Sequence, residues 1–257
     1  MPYALTLLPF CAFALFDLFC ASLLFAFTDA EIASYQKEIA GRPVGEKIAL
    51  WGERFVGTPY DPDPLGAYVR RKAIVADDRV DCMYLSFRAV ELALGRTPEE
   101  SATIALDKRF AHEGTVRSGE VLNYEDRFQY GEDMIDSGKW GKEITRDIGP
   151  LSSIGGSRGR ETVTMISKEA LIRTLRERKG SALKSGDFIF FVRMPEKRVG
   201  DEIVGHIGII KIEGETPYLI HAGGRKNIGG EVQKVPFSDY VNSMPFAGIR
   251  VSRFLTP

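Results

Sequence analysis

The spacing of apolar residues changes along the chain from a helical to a strand pattern, and this change limits the possible folds. After Asp81, apolar side chains recur at helical spacing, which predicts a helix over Cys82–Leu94 with Asp81 as its N-cap and Gly95 as its stop. Two earlier helices are predicted over residues 30–39 and 45–55. Strands are predicted over residues 188–193, 203–212, 218–221 and 248–254. Helices followed by a mainly antiparallel sheet define an α+β domain.

A polar stretch, rich in glycine and charge, separates the two patterns. We interpret it as an insertion over about residues 96–180. Its clearest element is a helix predicted near residues 168–179, capped by Ser167 and ended by Gly180. Residues 152–160 are predicted to be a loop, either covering a cleft or forming a solvated connection.

The N-terminal part of the chain is almost entirely apolar from residue 3 to residue 27, with Asp17 as its one charge. This pattern predicts a signal peptide or membrane anchor over residues 1–29, followed by a single catalytic domain over residues 30–257. The expected location is therefore the periplasm or cell envelope. A buried internal helix is the weaker alternative, because the run shows no amphipathic spacing.

The cysteines point to chemistry at one position. Cys11 and Cys20 lie in the leader, so a processed chain would keep Cys82 alone, without a partner for an intramolecular disulfide. The first turn of a helix lowers a thiol pKa through the partial positive charge of the unpaired amides, and it leaves a backbone N–H free for a developing oxyanion. Cys82 is therefore the predicted nucleophile, with a buried structural cysteine as the alternative.

Two of the three histidines are predicted to meet across a hairpin. If Glu213-Gly214 forms its two-residue turn, the register places His206 directly opposite His221, and one imidazole can orient the other as a base. A buried core histidine and a strand-ending histidine are the alternatives. A zinc site with Cys82 is the weaker rival, because no closely spaced ligand pair supports it. His112, in the charged insertion, is predicted to lie on the surface.

The net charge excludes one class of partner. The chain has 34 basic and 35 acidic side chains and a formal net charge of −1. Nucleic-acid binding depends on a basic surface that neutralises phosphates, so we expect no nucleic-acid partner.

Six segments together resemble the NlpC-type papain-like cell-wall hydrolases, and in particular their N-acetylmuramoyl-L-alanine amidase-like branch. They occur in the same order as in that family and span most of residues 45–254. The segments are Gly57-Thr58-Pro59-Tyr60, Val80-Asp81-Cys82, Leu183-Lys184-Ser185-Gly186-Asp187, Gly205-His206-Ile207-Gly208-Ile209, Leu219-Ile220-His221-Ala222 and Gly248-Ile249-Arg250-Val251.

This resemblance implies a papain-like fold in which the nucleophile helix packs on an antiparallel sheet. It implies Cys82 as nucleophile, His206 as general base and His221 as the residue that orients the base. Tyr60 matches a tyrosine that lines such active sites, and with Asp81 it is a candidate for substrate or oxyanion contacts. Packing beside a proline is the alternative for Tyr60. No metal or organic cofactor is implied.

The implied substrate is peptidoglycan or a muropeptide, cut at an amide. The bond between N-acetylmuramic acid and L-alanine is the first expectation, and the stem-peptide bond between D-glutamate and the diamino acid is the second. Two different activities also fit the residues: a peptidoglycan-binding module without turnover, and an acyltransferase that uses the same thiol. Residues 127–130 resemble a family stretch in which histidine is usual where Gln129 stands, which puts a substrate role for that stretch in doubt.

Overall fold

The computed structural model describes residues 26–177 and 182–255. The leader predicted over residues 1–29, with both of its cysteines, lies outside these ranges except for its last four residues, and so does Gly180. Among the described residues, no helix is long and apolar enough to cross a membrane.

The described residues form an antiparallel sheet that runs in the order β4-β5-β10-β6-β7-β8-β9, with β3 also pairing with β10. A separate small hairpin joins β1 and β2. The strands are β1 Val116–Arg117, β2 Glu120–Val121, β3 Lys142–Glu143, β4 Ser152–Gly155, β5 Thr162–Ser167, β6 Phe188–Val192, β7 Val204–Glu213, β8 Thr216–Arg225, β9 Gly229–Pro236 and β10 Gly248–Arg253. All five residues of the central strand β6 are buried, so both faces of the sheet are covered there.

The helices confirm the α+β class and most of the predicted elements. They are α1 Asp29–Glu38, α2 Val44–Arg54, α3 Ala67–Arg70, α4 Cys82–Leu94, α5 Pro98–Lys108, α6 Gly131–Asp136, α7 Thr145–Ile148, α8 Lys168–Arg176 and α9 Phe237–Ser243. Helix α4 has the predicted bounds, and Oδ1 of Asp81 accepts a hydrogen bond from the Tyr84 N–H at 2.8 Å. Ser167 caps α8 as predicted.

Two apolar layers lie on opposite faces of the sheet, because side chains alternate along each strand. Phe188 and Phe190 of β6 point into the layer that covers α2 and α4. Ile189 and Phe191 point into the other layer, which contains α8 and α9. Helix α4 is thus fixed against one face, with its first residue at the edge of that layer.

A buried network of charges holds the segment before α4. Two nitrogens of the Arg88 guanidinium donate to the Asp77 carboxylate at 2.7 and 2.8 Å, and the Tyr84 hydroxyl donates to Asp77 Oδ1 at 2.8 Å. Glu91 accepts from both Arg88 and Arg109. These side chains are almost completely buried, so removing one partner would leave an uncompensated charge.

The insertion differs from its prediction. The loop predicted over residues 152–160 is wrong at its start, because residues 152–155 form β4, which pairs with β5. Strand β5 in turn pairs with β10, so this part of the insertion extends the main sheet. The β9 strand and the α9 helix were not predicted at all, although α9 brings Tyr240 toward the histidines.

Candidate active site

Cys82 is the first residue of α4 and lines a cleft of about 640 Å³. The backbone N–H at this helix position has no partner within the helix, as predicted for a group that could bind an oxyanion. The backbone N–H of Ile207 donates to the Cys82 sulfur. Since Ile207 directly follows His206 in β7, this contact joins the start of α4 to the strand that carries the candidate base.

The thiol pKa is shifted in the direction opposite to the prediction. Burial, and then the Asp81 carboxylate, raise the pKa of the Cys82 thiol to about 12. The expectation of a lowered pKa at the helix N-terminus was therefore wrong. The helix end acts within its own first turn, whereas desolvation of a charged sulfur comes from all of its neighbours and is larger here.

The two histidines meet, but in a register different from the predicted one. Glu213 pairs with Thr216, so Gly214 and not Glu213 begins the turn, with φ 59°. This register makes His206 and His221 diagonal neighbours instead of directly opposed residues. The change moves the pairing by an even number of residues, so both rings stay on one face of the sheet. His206 Nε2 lies 3.0 Å from His221 Nδ1.

An aromatic cage surrounds the imidazole pair. The His206 ring stacks with Phe191 at 5.7 Å and with Phe246 at 6.4 Å between centroids, and Tyr240 packs on His221 at 4.8 Å. Burial in this cage, with the charge of His221 second, lowers the pKa of His206 well below its ordinary value. Burial also lowers the pKa of His221 to about 4. Both rings are therefore neutral at neutral pH.

Helix α4 and the imidazole pair lie on opposite faces of the sheet, and they approach each other where β7 and β8 separate. The β7–β8 ladder ends at the Ile209–Ile220 pair, although both strands continue beyond it. The contact from Ile207 to the Cys82 sulfur lies in this unpaired part of β7. From the other face, burial and then a charge on the Cys82 sulfur raise the pKa of Tyr240. Groups from both faces thus converge on the sulfur.

The other two predicted site residues also line the cleft. The Tyr60 ring lies against Gly224, where an added Cβ would be 2.2 Å from Tyr60 Cγ, so only glycine leaves room for the ring. Burial, followed by the charges of Cys82 and Asp81, raises the pKa of Tyr60, which stays a neutral hydroxyl. Asp81 caps α4 with one oxygen and accepts from Lys226 Nζ with the other at 3.1 Å.

The insertion supplies a wall of the cleft that the sequence did not reveal. Residues 127–130 line it. Gln129, which stands where the resembled family usually has histidine, therefore lines the same cleft as the candidate nucleophile. From α6, Glu132 is fully buried and accepts hydrogen bonds from the N–H groups of Ile203 at 3.2 Å and Val204 at 3.1 Å. It thereby fixes the start of β7 just before His206. His112 is exposed, as predicted.

The zinc alternative does not fit the arrangement. Within residues 26–177 and 182–255, no group of three or more His, Cys, Asp or Glu side chains could hold a metal ion.

The comparisons with known proteins agree on the fold. No protein-family model matches the sequence, and no curated protein matches it. Among solved structures, an N-acetylmuramoyl-L-alanine amidase from Bacteroides uniformis superposes with a TM-score of 0.60 at 20% identity, over 83% of this chain and 99% of that one. A Legionella pneumophila protein assigned to DUF1460 gives 0.64 at 16% identity, over 88% and 96%.

A Bacteroides fragilis protein proposed to be a xylanase gives a TM-score of 0.55 at 20% identity, over 79% of this chain and 98% of that one. At such identities the likeness establishes a shared α+β fold of the amidase type and leaves the reaction open. Membership of the NlpC-type group and the papain-like assignment stay predictions.

Proposed function

We propose that this chain is a papain-like cysteine amidase that hydrolyses peptidoglycan fragments at the bond between N-acetylmuramic acid and L-alanine. The observation that carries the proposal is that Cys82 lines the cleft and its sulfur accepts a hydrogen bond from the backbone N–H of Ile207, the residue after His206, whose ring contacts His221. The amidase name carried by a structural neighbour supports the choice of bond. Export to the periplasm or cell envelope belongs to the proposal, because the substrate lies there.

The hydrogen bond between the imidazoles assigns the nitrogens. His206 Nε2 faces His221, so its Nδ1 is the nitrogen left to act on the thiol. A neutral His206 that keeps its proton on Nε2 and donates it to His221 Nδ1 has an unprotonated Nδ1. With His221 Nδ1 as the acceptor, His206 is held in the tautomer that can take a proton on Nδ1, which is the orienting role in the proposed mechanism.

In the proposed reaction, the proton of the Cys82 thiol moves to His206 Nδ1 as the sulfur attacks the amide carbonyl. The Cys82 backbone N–H stabilises the oxyanion of the tetrahedral intermediate. His206 then gives its proton to the leaving amine, and the C–N bond breaks to leave a thioester. Water, deprotonated by His206, hydrolyses the thioester and restores the thiol.

The test is mass spectrometry of defined muropeptides incubated with protein that lacks the leader. We expect release of the intact stem peptide from the sugar, abolished in Cys82→Ala and in His206→Ala. His112→Ala, which changes an exposed histidine, should retain full activity. Shortened stems would instead identify an endopeptidase, and unchanged substrates across the panel would identify a binding module.

A further inference from the structure

The charged side chains that line the cleft are unequally paired. Two of its cations have close carboxylate partners: Arg193 Nε lies 3.0 Å from Glu202, and Lys226 Nζ lies 3.1 Å from Asp81. These pairs neutralise each other within the cleft wall. The third cation, Arg127, has no such partner in the cleft.

Arg127 is a buried guanidinium with weak compensation. Its side chain is only 9% exposed. Its nearest carboxylate, that of Glu125, is 3.8 Å away on a side chain that is 78% exposed. The one hydrogen bond that its guanidinium makes within the described ranges runs from Nη1 to the Tyr124 carbonyl at 3.4 Å. The guanidinium also lies 5.6 Å from the centroid of the Tyr124 ring, but a side chain with so little exposure normally has a close anion as well.

We propose that Arg127 binds a carboxylate of the substrate, and that the substrate is therefore an acidic stem peptide. This inference rests on the proposed function. In a peptidoglycan stem, D-glutamate is the second residue and is linked through its side chain, so its α-carboxylate stays free. That carboxylate is one residue beyond the amide cut by an amidase. A guanidinium in the wall of the same cleft can receive it with two parallel hydrogen bonds.

The geometry also explains why a carboxylate would choose this point of the cleft. The Asp81–Lys226 and Glu202–Arg193 pairs are each neutral overall, so they offer no net positive charge to a substrate anion. Arg127 is the cation whose charge is not already matched at close range. An acidic group is thus drawn to the wall built by the insertion, and the peptide direction is fixed.

The experiment compares two muramyl dipeptides that differ in one group: N-acetylmuramoyl-L-alanyl-D-isoglutamate, with a free α-carboxylate, and the D-isoglutamine analogue, with a carboxamide. Affinity is measured by calorimetry on Cys82→Ala protein, with Arg127 intact or changed to Met or Lys. Cleavage of both peptides is followed separately in protein that keeps Cys82. Arg117→Met, an exposed arginine of the same insertion, is the matched control.

With Arg127 intact, we expect the carboxylate peptide to bind about 10- to 100-fold more tightly than the carboxamide, as for a hydrogen-bonded pair of opposite charges. Arg127→Met should abolish this preference, Arg127→Lys should retain part of it, and Arg117→Met should leave it intact. The preference is a ratio within each variant, so a loss of folded protein cancels.

Equal binding of the two peptides to protein with Arg127, binding of neither, or an equal loss for both in Arg127→Met would overturn the carboxylate assignment. Preferential binding without cleavage of either peptide would support that assignment and contradict the proposed hydrolysis. The two ideas therefore fail separately.

Discussion

Protonation of the buried imidazole pair should make stability fall in mild acid. Burial lowers the pKa of His221 from 6.5 to about 4. Between these pH values the unfolded chain binds a proton at this position that the folded chain does not. The free energy of unfolding therefore falls as the pH drops through this window, and the His221 contribution is constant above it.

The size of this effect follows from the pKa difference. Each pKa unit corresponds to about 1.4 kcal/mol, so His221 alone should lower the free energy of unfolding by about 2 kcal/mol at pH 5 and about 3 kcal/mol at pH 4, relative to pH 7.5. His206 acts in the same direction, because its pKa is also lowered.

The comparison that isolates this contribution is wild type against His221→Asn. The asparagine oxygen can still accept from His206 Nε2, but the side chain does not titrate. Urea unfolding at pH 7.5, 6, 5 and 4 gives the free energy of unfolding for each protein. Carboxylates away from the site titrate in both proteins, so their effects largely cancel in the difference, which then reports the imidazole pair because His206 contacts His221 directly.

We expect the wild type to lose about 3 kcal/mol more than His221→Asn between pH 7.5 and pH 4. His112→Asn, at an exposed position, should follow the wild-type curve. If the wild-type and His221→Asn curves run parallel within about 0.5 kcal/mol, His221 is not held neutral by burial and the tautomer argument fails with it.

Three further predictions follow from other parts of the structure. Because the pKa of Cys82 is raised, iodoacetamide at pH 8 should alkylate Cys82 at least about 100-fold more slowly than it alkylates a cysteine in an unfolded peptide. Equal alkylation rates would show that the Cys82 thiol is ionised as readily as a free cysteine. Glu132→Gln places an amide donor against one of two backbone donors and removes the charge paired with Arg158, so it should lower the free energy of unfolding by about 2 kcal/mol, whereas the exposed Glu161→Gln should leave it unchanged in urea unfolding. Asp77→Asn removes the charge of the closer of the two buried carboxylates that pair with Arg88 and should cost about 3–5 kcal/mol; a loss below about 1 kcal/mol would mean that Glu91 or solvent compensates for the lost charge.

The sequence predicted the elements whose causes are local. Helix α4 was placed correctly because the Asp81 cap and the apolar spacing lie within the element itself. The register of the hairpin was predicted incorrectly, because a two-residue turn can be formed at either of two positions within residues 213–215. In the observed turn Gly214 is the first residue, and this position requires a positive φ. Glycine adopts a positive φ at a lower free-energy cost than other residues, which favours the observed register.

The missed parts of the site come from residues distant in sequence. Glu132 is far from the strand that it fixes, and its sequence neighbours give no sign of that partner. Tyr240 lies on a short helix whose apolar positions, Phe237 and Val241, were the available signal. Such contacts depend on the assembled sheet, so the spacing of motifs identifies the candidate nucleophile and the two histidines but does not predict the walls of the cleft.

The protonation states of Cys82 and His206 bear on how the proposed reaction begins. Desolvation raises the pKa of the Cys82 thiol and lowers the pKa of the His206 imidazole, so both shifts favour the neutral pair over a thiolate–imidazolium pair. These shifts favour proton transfer that accompanies attack on the carbonyl, when the negative charge moves from the sulfur to the oxyanion. The backbone N–H at the start of α4 has no acceptor within the helix and can stabilise that charge in the proposed intermediate. Burial thus disfavours the thiolate before substrate binds, whereas the backbone N–H can still stabilise the tetrahedral intermediate. The slow alkylation predicted for Cys82 is therefore compatible with efficient hydrolysis.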